Sequence, residues 1–473
     1  MKLQHITLLS LVAAMLGLMT ACSKKAELLD TVPASSAMVT TVDLKAICER
    51  SGLEFTAEGI KASPEVSGKF DGNIKAALDK LAMLDAKGVA DLSTIVVGLD
   101  TKEGAFLTFS ITDFERFKLI VEDAVTWSDD ADGLHCGSLN RIPVAANDHQ
   151  MWMMMNTNGS ATGIVKKLLE QADEMPVSKL EGIAQALYRD NLINTAVVNG
   201  LDPFNAKSES NVPVLEKVWN VAALNTSADS KSIVLEWEQM ASTGEMQKFK
   251  GLKNINPAVL AYVPEGFTVT FGAGLTNDFD WKPIETVLTM LGGFQAGAFM
   301  AVVKPYLESI DGTVLIAARP SDPDNLDSND PSDWDFILLA HMPQDKINQL
   351  TATVSSMMST AGITPKAAGE GLISVPQYGK EMTMGNVDGY LGISTIGFDN
   401  TRNNSLAPIF VNKDMAFNFT ANPLSDYLDE APEGVALEVS LGMTDSKGQA
   451  KFALPGSDRP ILEYLLSLLL QED

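Results

Sequence analysis

The chain has 473 residues, 45% of them apolar and 20% charged, and a formal net charge of −26 at neutral pH. That apolar share supplies packed cores and excludes a disordered chain. The acidity argues against nucleic acid and anionic lipid headgroups, which need clustered Lys and Arg, and three cysteines are too few for a disulfide framework.

In chain order, the first feature is a leader. Lys2 precedes an apolar run from Ile6 to Met19, and Met19-Thr20-Ala21-Cys22 closes it. The run is shorter than the ~20 residues a spanning helix needs. A short apolar segment ending in small residues and a cysteine predicts a lipoprotein signal over 1–21, with acyl chains on Cys22. Met19 stands where such signals usually carry Leu, and an ordinary cleaved secretory signal is the alternative. Acyl chains on Cys22 would make the membrane a partner, since each buried CH₂ contributes about 0.8 kcal/mol. Residues 22–31, with Lys24-Lys25, then read as a lipidated tether.

Beyond the tether the chain reads as a tandem repeat of about 230 residues, 32–250 and 251–473. Val32-Pro33-Ala34-Ser35 leads to an alternating strand, Met38 to Val42, as Val263-Pro264-Glu265-Gly266 leads to Phe267 to Phe271. Ala431-Pro432-Glu433-Gly434 echoes both. Phe106 to Ser110 is followed by a helical stripe, Phe114, Phe117, Ile120, Val121 and Ala124. Ile337 to His341 is likewise followed by Ile347, Leu350, Val354 and Met357 or Met358. Leu139 to Pro143 pairs with Leu372 to Pro376, and hairpins follow at Asn147-Asp148-His149 and Val387-Asp388-Gly389. Turns at Ser227 to Lys231 and Met443 to Lys447 complete the match. Hairpins mixed with segregated helices predict an α+β class: two tandem homologous domains with mixed, mainly antiparallel sheets and packed helices. Ile461 to Leu470, apolar nearly all round, predicts a docked terminal helix.

Candidate chemistry is sparse. His135, His149 and His341 stand at no metal-ligand spacing with another His, Cys or Glu, and the other copy repeats none of them. Cys48, on the apolar face of a short helix, and Cys136 leave three readings open: buried thiols, a disulfide or a reactive thiol. Ser128 to Gly133 resembles the front of a calcium loop, but Leu139 occupies the position that requires a bidentate Glu. Ser321 to Asp335, with six aspartates, reads as a solvated acidic loop; a cation on Asp322, Asp324 and Asp327 is the alternative. Gly272-Ala273-Gly274 lacks the rest of a phosphate-loop pattern. Gly292-Gly293 reads as a packing or helix-breaking pair. Met151-Trp152-Met153-Met154-Met155 predicts a central strand buried on both faces, or else a Met-rich binding groove. The sequence therefore predicts no catalytic, metal-ligating or cofactor-binding residue and no cofactor; Cys22 is its one site residue.

Cys22-Ser23-Lys24-Lys25, Val32 to Val39, Val42-Asp43-Leu44-Lys45, Ser51-Gly52-Leu53 and Tyr262 to Gly266 together resemble the Bacteroidetes lipoproteins grouped as domain of unknown function 4836. The resemblance implies a lipidated cysteine and brings no assigned activity. Ser23-Lys24-Lys25-Ala26-Glu27 is a poor surface-export signal, which favours an outer-membrane protein facing the periplasm. The expected function is non-enzymatic binding or scaffolding of an unknown envelope protein or small ligand, through the surface between the copies and without nucleic acid. A hydrolase with dispersed catalytic residues, or a glycan-binding accessory lipoprotein, is the alternative.

Overall fold

The computed structural model describes residues 25–470 apart from 71, 101, 129–132, 156–159, 200–212, 249, 282–303, 322–332, 378, 400–404 and 425–433. Cys22 and the leader therefore lie outside the described residues. So do Gly292-Gly293, 129–132 of the calcium-like stretch and most of the acidic loop. The fold is α+β with mainly antiparallel sheets. It comprises two compact units, Met1–Gln247 with Asp458–Asp473, and Lys248–Ser457.

In the first unit, helix α1 (Lys25–Asp30) buries Leu28 and Leu29. The end of the expected tether is thus part of the folded body. Strand β1 (Met38–Val42) leads into α2 (Leu44–Arg50), where the Asp43 carboxylate accepts from the Ala46 N–H at 2.6 Å. This side-chain cap satisfies a backbone donor that the helix leaves open. A hairpin, β2 (Leu53–Thr56) and β3 (Gly59–Ala62), precedes α3 (Gly72–Ala86). Then come β4 (Ala90–Asp100), β5 (Gly104–Ile111) and α4 (Phe114–Val121), which Asp113 caps and whose Phe114, Phe117 and Val121 are buried. Four strands follow: β6 (Val125–Trp127), β7 (His135–Leu139), β8 (Ile142–Ala146) and β9 (Gln150–Met155). Asn140 and Arg141 adopt positive φ in the two-residue turn between β7 and β8, which matches the twist of a tight hairpin. The sheet order is β4-β5-β9-β8-β7-β6. Helices α5 (Ala161–Glu174) and α6 (Glu181–Leu187) lead to β10 (Ile193–Val198), β11 (Val218–Thr226) and β12 (Ser232–Ala241), ordered β1-β10-β11-β12.

The Met-rich strand is the central strand β9. Met151 and Met153 join the core on one face of the sheet, with α2, α3 and α4; Trp152 and Met154 join the core on the other, with α1, α5 and α6. It is filled from both sides and forms no groove.

In the second unit, β13 (Leu252–Lys253) pairs with β14 (Val269–Leu275), and a 3-10 turn (Pro257–Tyr262) lies between them. β15 (Gly312–Pro320), β16 (Trp334–His341) and α7 (Gln344–Thr360) precede β17 (Lys366–Gly369), β18 (Leu372–Gln377), β19 (Lys380–Val387) and β20 (Tyr390–Ser394). A short helix, α8 (Ala407–Phe410), leads to β21 (Met415–Ala421), β22 (Leu437–Met443) and β23 (Lys447–Ala453). The order is β23-β22-β21-β14-β15-β16-β20-β19-β18-β17. Gly272 and Gly274 have packing roles: a Cβ there would lie 2.9 Å from the Phe410 ring and 2.0 Å from the Lys253 carbonyl oxygen.

Strand for strand, β15-β16-β20-β19-β18-β17 repeats the order β4-β5-β9-β8-β7-β6, and β14-β21-β22-β23 repeats β1-β10-β11-β12. One pair of sequence landmarks is out of step. Leu139 to Pro143 straddles the turn from β7 to β8, whereas Leu372 to Pro376 lies inside β18, the counterpart of β7. The apolar patterns agree there but the turns do not.

Helix α9 (Ile461–Leu469) belongs to the first unit, not to the second repeat in which the sequence reading placed it. Its Leu466 completes the first core, and Ser63 Oγ donates to Glu463 at 2.5 Å.

Candidate functional site

The titratable residues singled out by sequence take structural places. His135 stacks flat on Phe114, centroids 3.7 Å apart, with Nε2 3.9 Å from Asp148. His149 is exposed in the β8–β9 turn, its backbone N–H donating to Asn147. His341 Nδ1 lies 2.7 Å from the Asp311 carbonyl oxygen, and its ring meets Tyr390 edge-on. Cys48 and Cys136 are both free thiols. Burial pushes the Cys48 thiol up to about 12, with Glu49 and Asp43 adding to the shift, so it is unreactive at neutral pH. Cys136 is half-buried on β7 and donates to the Leu134 carbonyl.

A polar cluster of the second unit clamps a loop. Tyr262 donates to Asp388, and Asn256 Nδ2 donates to Tyr390 Oη at 2.9 Å while its Oδ1 caps the 3-10 turn. Burial, then the Asp388 carboxylate, pushes the Tyr262 phenol up to about 12. Lys217 is buried as well, and burial lowers its ammonium pKa although Asp100 opposes the shift. Among the described residues no group of three or more His, Cys, Asp or Glu is placed to hold a metal ion. No helix among them is long and apolar enough to cross a membrane.

A different feature marks the second unit. Alternation places Phe271 of β14, Phe417 of β21, Leu441 of β22 and Ile316 of β15 in one row across a single sheet face. A second row on that face holds Val269, Phe419, Val439 and Phe452. Ile316 is 41% and Phe452 47% exposed, and most of the others are half-buried. The helix α7 contributes little cover, since Ile347 is its one fully buried residue.

The matching face of the first unit mixes polar and apolar side chains. Counting by strand and register, Thr195, Asn220 and Gln239 occupy the places of Phe417, Val439 and Phe452, while Met38, Val197 and Ala222 occupy those of Val269, Phe419 and Leu441. Thr195 hydrogen-bonds Thr40 at 2.6 Å, and Gln239 donates to Asn220 at 2.9 Å. Hydrogen-bonded polar side chains interrupt the first face, whereas both rows of the second are apolar throughout. The sequence reading missed this contrast, although the alternation of Phe417-Asn418-Phe419 and Val439-Ser440-Leu441 carries it.

No family model matches the chain, and no curated protein matches it. A solved structure titled "Structure of crystal form IV of TP0453" aligns with 46% of this chain and 83% of its own, at 10% identity and a TM-score of 0.27. At that overlap it carries no argument about this chain.

Proposed function

We propose that this chain is a lipid-anchored envelope protein, held at the outer membrane through Cys22 and facing the periplasm, whose work is non-enzymatic binding. The leader closing on Met19-Thr20-Ala21-Cys22 and the resemblance to Bacteroidetes lipoproteins support the anchor. The shared strand order supports descent of the two units from one duplicated module.

The observation that carries the binding reading is the difference between equivalent faces. Where the first unit has Thr195, Asn220 and Gln239, the second has Phe417, Val439 and Phe452, with Phe452 and Ile316 open to solvent. Exposed apolar side chains clustered on one face mark interaction surfaces in soluble domains. The first unit thus breaks its apolar face with polar side chains at places where the second keeps apolar ones.

A neutral apolar dye such as Nile red tests this without the repulsion an anionic dye would meet from a −26 chain. The folded protein should bind it saturably, and Ile316→Glu with Phe452→Glu should abolish binding while circular dichroism stays unchanged. No saturable binding by the unaltered protein would refute the reading.

A further inference from the structure

We infer that the body of this protein lies directly against the leaflet that holds its acyl chains, with the surface of the first unit around α1 turned to the lipid headgroups. The inference rests on the lipidation reading for Cys22. It adds a geometry that lipidation alone does not give.

The first observation is length. α1 begins at Lys25, so three peptide steps separate the anchoring cysteine from the folded body. Fully extended, they span roughly 10–11 Å.

The second is that nothing beyond Leu28 can pay out, which limits the reach from Cys22 to six peptide steps, roughly 20–22 Å. Leu28 and Leu29 are 2% and 0% exposed, in the same core as Val165, Val177 and Ile183. Immediately after α1 the backbone is tied down: Val177 N–H donates to the Val32 carbonyl and Ala34 N–H to the Met175 carbonyl, both at 2.9 Å. The side chains add Ser178 Oγ to Asp30, and Gln150 Nε2 to Thr31 Oγ1 at 2.9 Å. Undocking α1 to lengthen the tether would expose two core leucines and break this seam.

The third is orientation. α1 packs on the face of the β4–β9 sheet that carries Trp152 and Met154, whereas α3 packs on the opposite face, with Met151. An anchor point on one face, at a reach of at most about 20 Å, turns that face toward the bilayer and α3 away from it. Lys179 is exposed beside α1, in the turn that holds it; Ala76 is exposed on α3.

The test uses acylated full-length protein purified from membranes, with Cys136→Ala removing the accessible thiol; Cys48 is buried and unreactive. Single cysteines are introduced as Lys179→Cys or Ala76→Cys and labelled with a bulky polyethylene glycol maleimide. Labelling is compared on phosphatidylethanolamine–phosphatidylglycerol vesicles and in the Cys22→Ala form in solution. The Lys179→Cys site should react severalfold more slowly on vesicles, and the Ala76→Cys site equally in both. A flexible Gly/Ser insert of about 20 residues between Lys24 and Lys25 should restore Lys179→Cys labelling without loss of vesicle binding. Vesicle-bound protein with Lys179→Cys unprotected would overturn this inference alone. Protein that does not sediment with vesicles would overturn the lipidation reading, and this inference with it.

Discussion

The ring of Phe106 lies across the backbone of Gly98, its cross-strand partner in β4 and β5: a Cβ on Gly98 would sit 2.2 Å from Phe106 Cζ. Phe106 is 1% exposed and packs with Val96 and Trp152. It cannot rotate away without displacing them. Gly98→Ala should therefore destabilise the first unit by roughly 1–3 kcal/mol through overpacking. Phe106→Ala should cost about 3–5 kcal/mol. The double variant should cost clearly less than the sum, because the clash vanishes with the ring. Urea denaturation of the three variants checks it; simple additivity would show that the ring is not what excludes the methyl group.

Helix α9 gives a second prediction. Leu466 fills the core beside Leu44, Ile47 and Val66, so Leu466→Ala should cost about 2–5 kcal/mol. Deleting 458–473 should speed hydrogen exchange in β4, β5 and α2 while leaving β14 to β16 unchanged, since the helix belongs to the first unit. Equal acceleration in both sets would contradict that assignment.

The α+β class, the strand Met38 to Val42, the α4 stripe and the terminal helix were all legible, because local alternation and caps specify them. Strands β6 and β17 were not. They have three and four residues, too few for a period, and β17 is exposed along its whole length. The apolar face of the second unit was hidden for another reason. Phe417 and Phe419 alternate with Asn418 and Thr420 as core residues do with polar neighbours, and periodicity alone cannot say whether a face is covered. The place of α9 was likewise invisible, because a docked helix does not name its partner in sequence.

The cysteines make a third prediction. In the Cys22→Ala protein one thiol, Cys136, should react with a small maleimide under native conditions, and Cys48 should join it on unfolding. Burial and the raised pKa of Cys48 both withhold its thiolate. Oxidation should leave the intramolecular pair unformed, which mass spectrometry of peptides would verify; a Cys48–Cys136 peptide would contradict it.

Two aspartates of the second unit should give opposite pH signatures. Asp335 is partly buried, which disfavours its charge, but hydrogen bonds from Lys380 and Ser321 and the charges of Lys380 and Arg319 outweigh this and lower its pKa. Its contribution is present above the unfolded carboxylate pKa of about 3.9 and is lost as pH falls through the lower folded value. Asp335→Asn should cost on the order of 1–3 kcal/mol at pH 7, and the deficit should close toward pH 3. Asp414 is raised instead, by burial first and then by the Asp445 charge, against the pull of Lys248. The folded state prefers Asp414 protonated, so the penalty for its charge appears as pH rises above the unfolded value and persists at neutrality. Asp414→Asn should therefore stabilise the protein at pH 7 and do nothing near pH 3. Denaturant titrations of both variants between these limits check the pair. An Asp414→Asn variant less stable than the parent at pH 7, with a deficit that closes toward pH 3, would mean that Asp414 is held ionised, with Lys248 outweighing its burial.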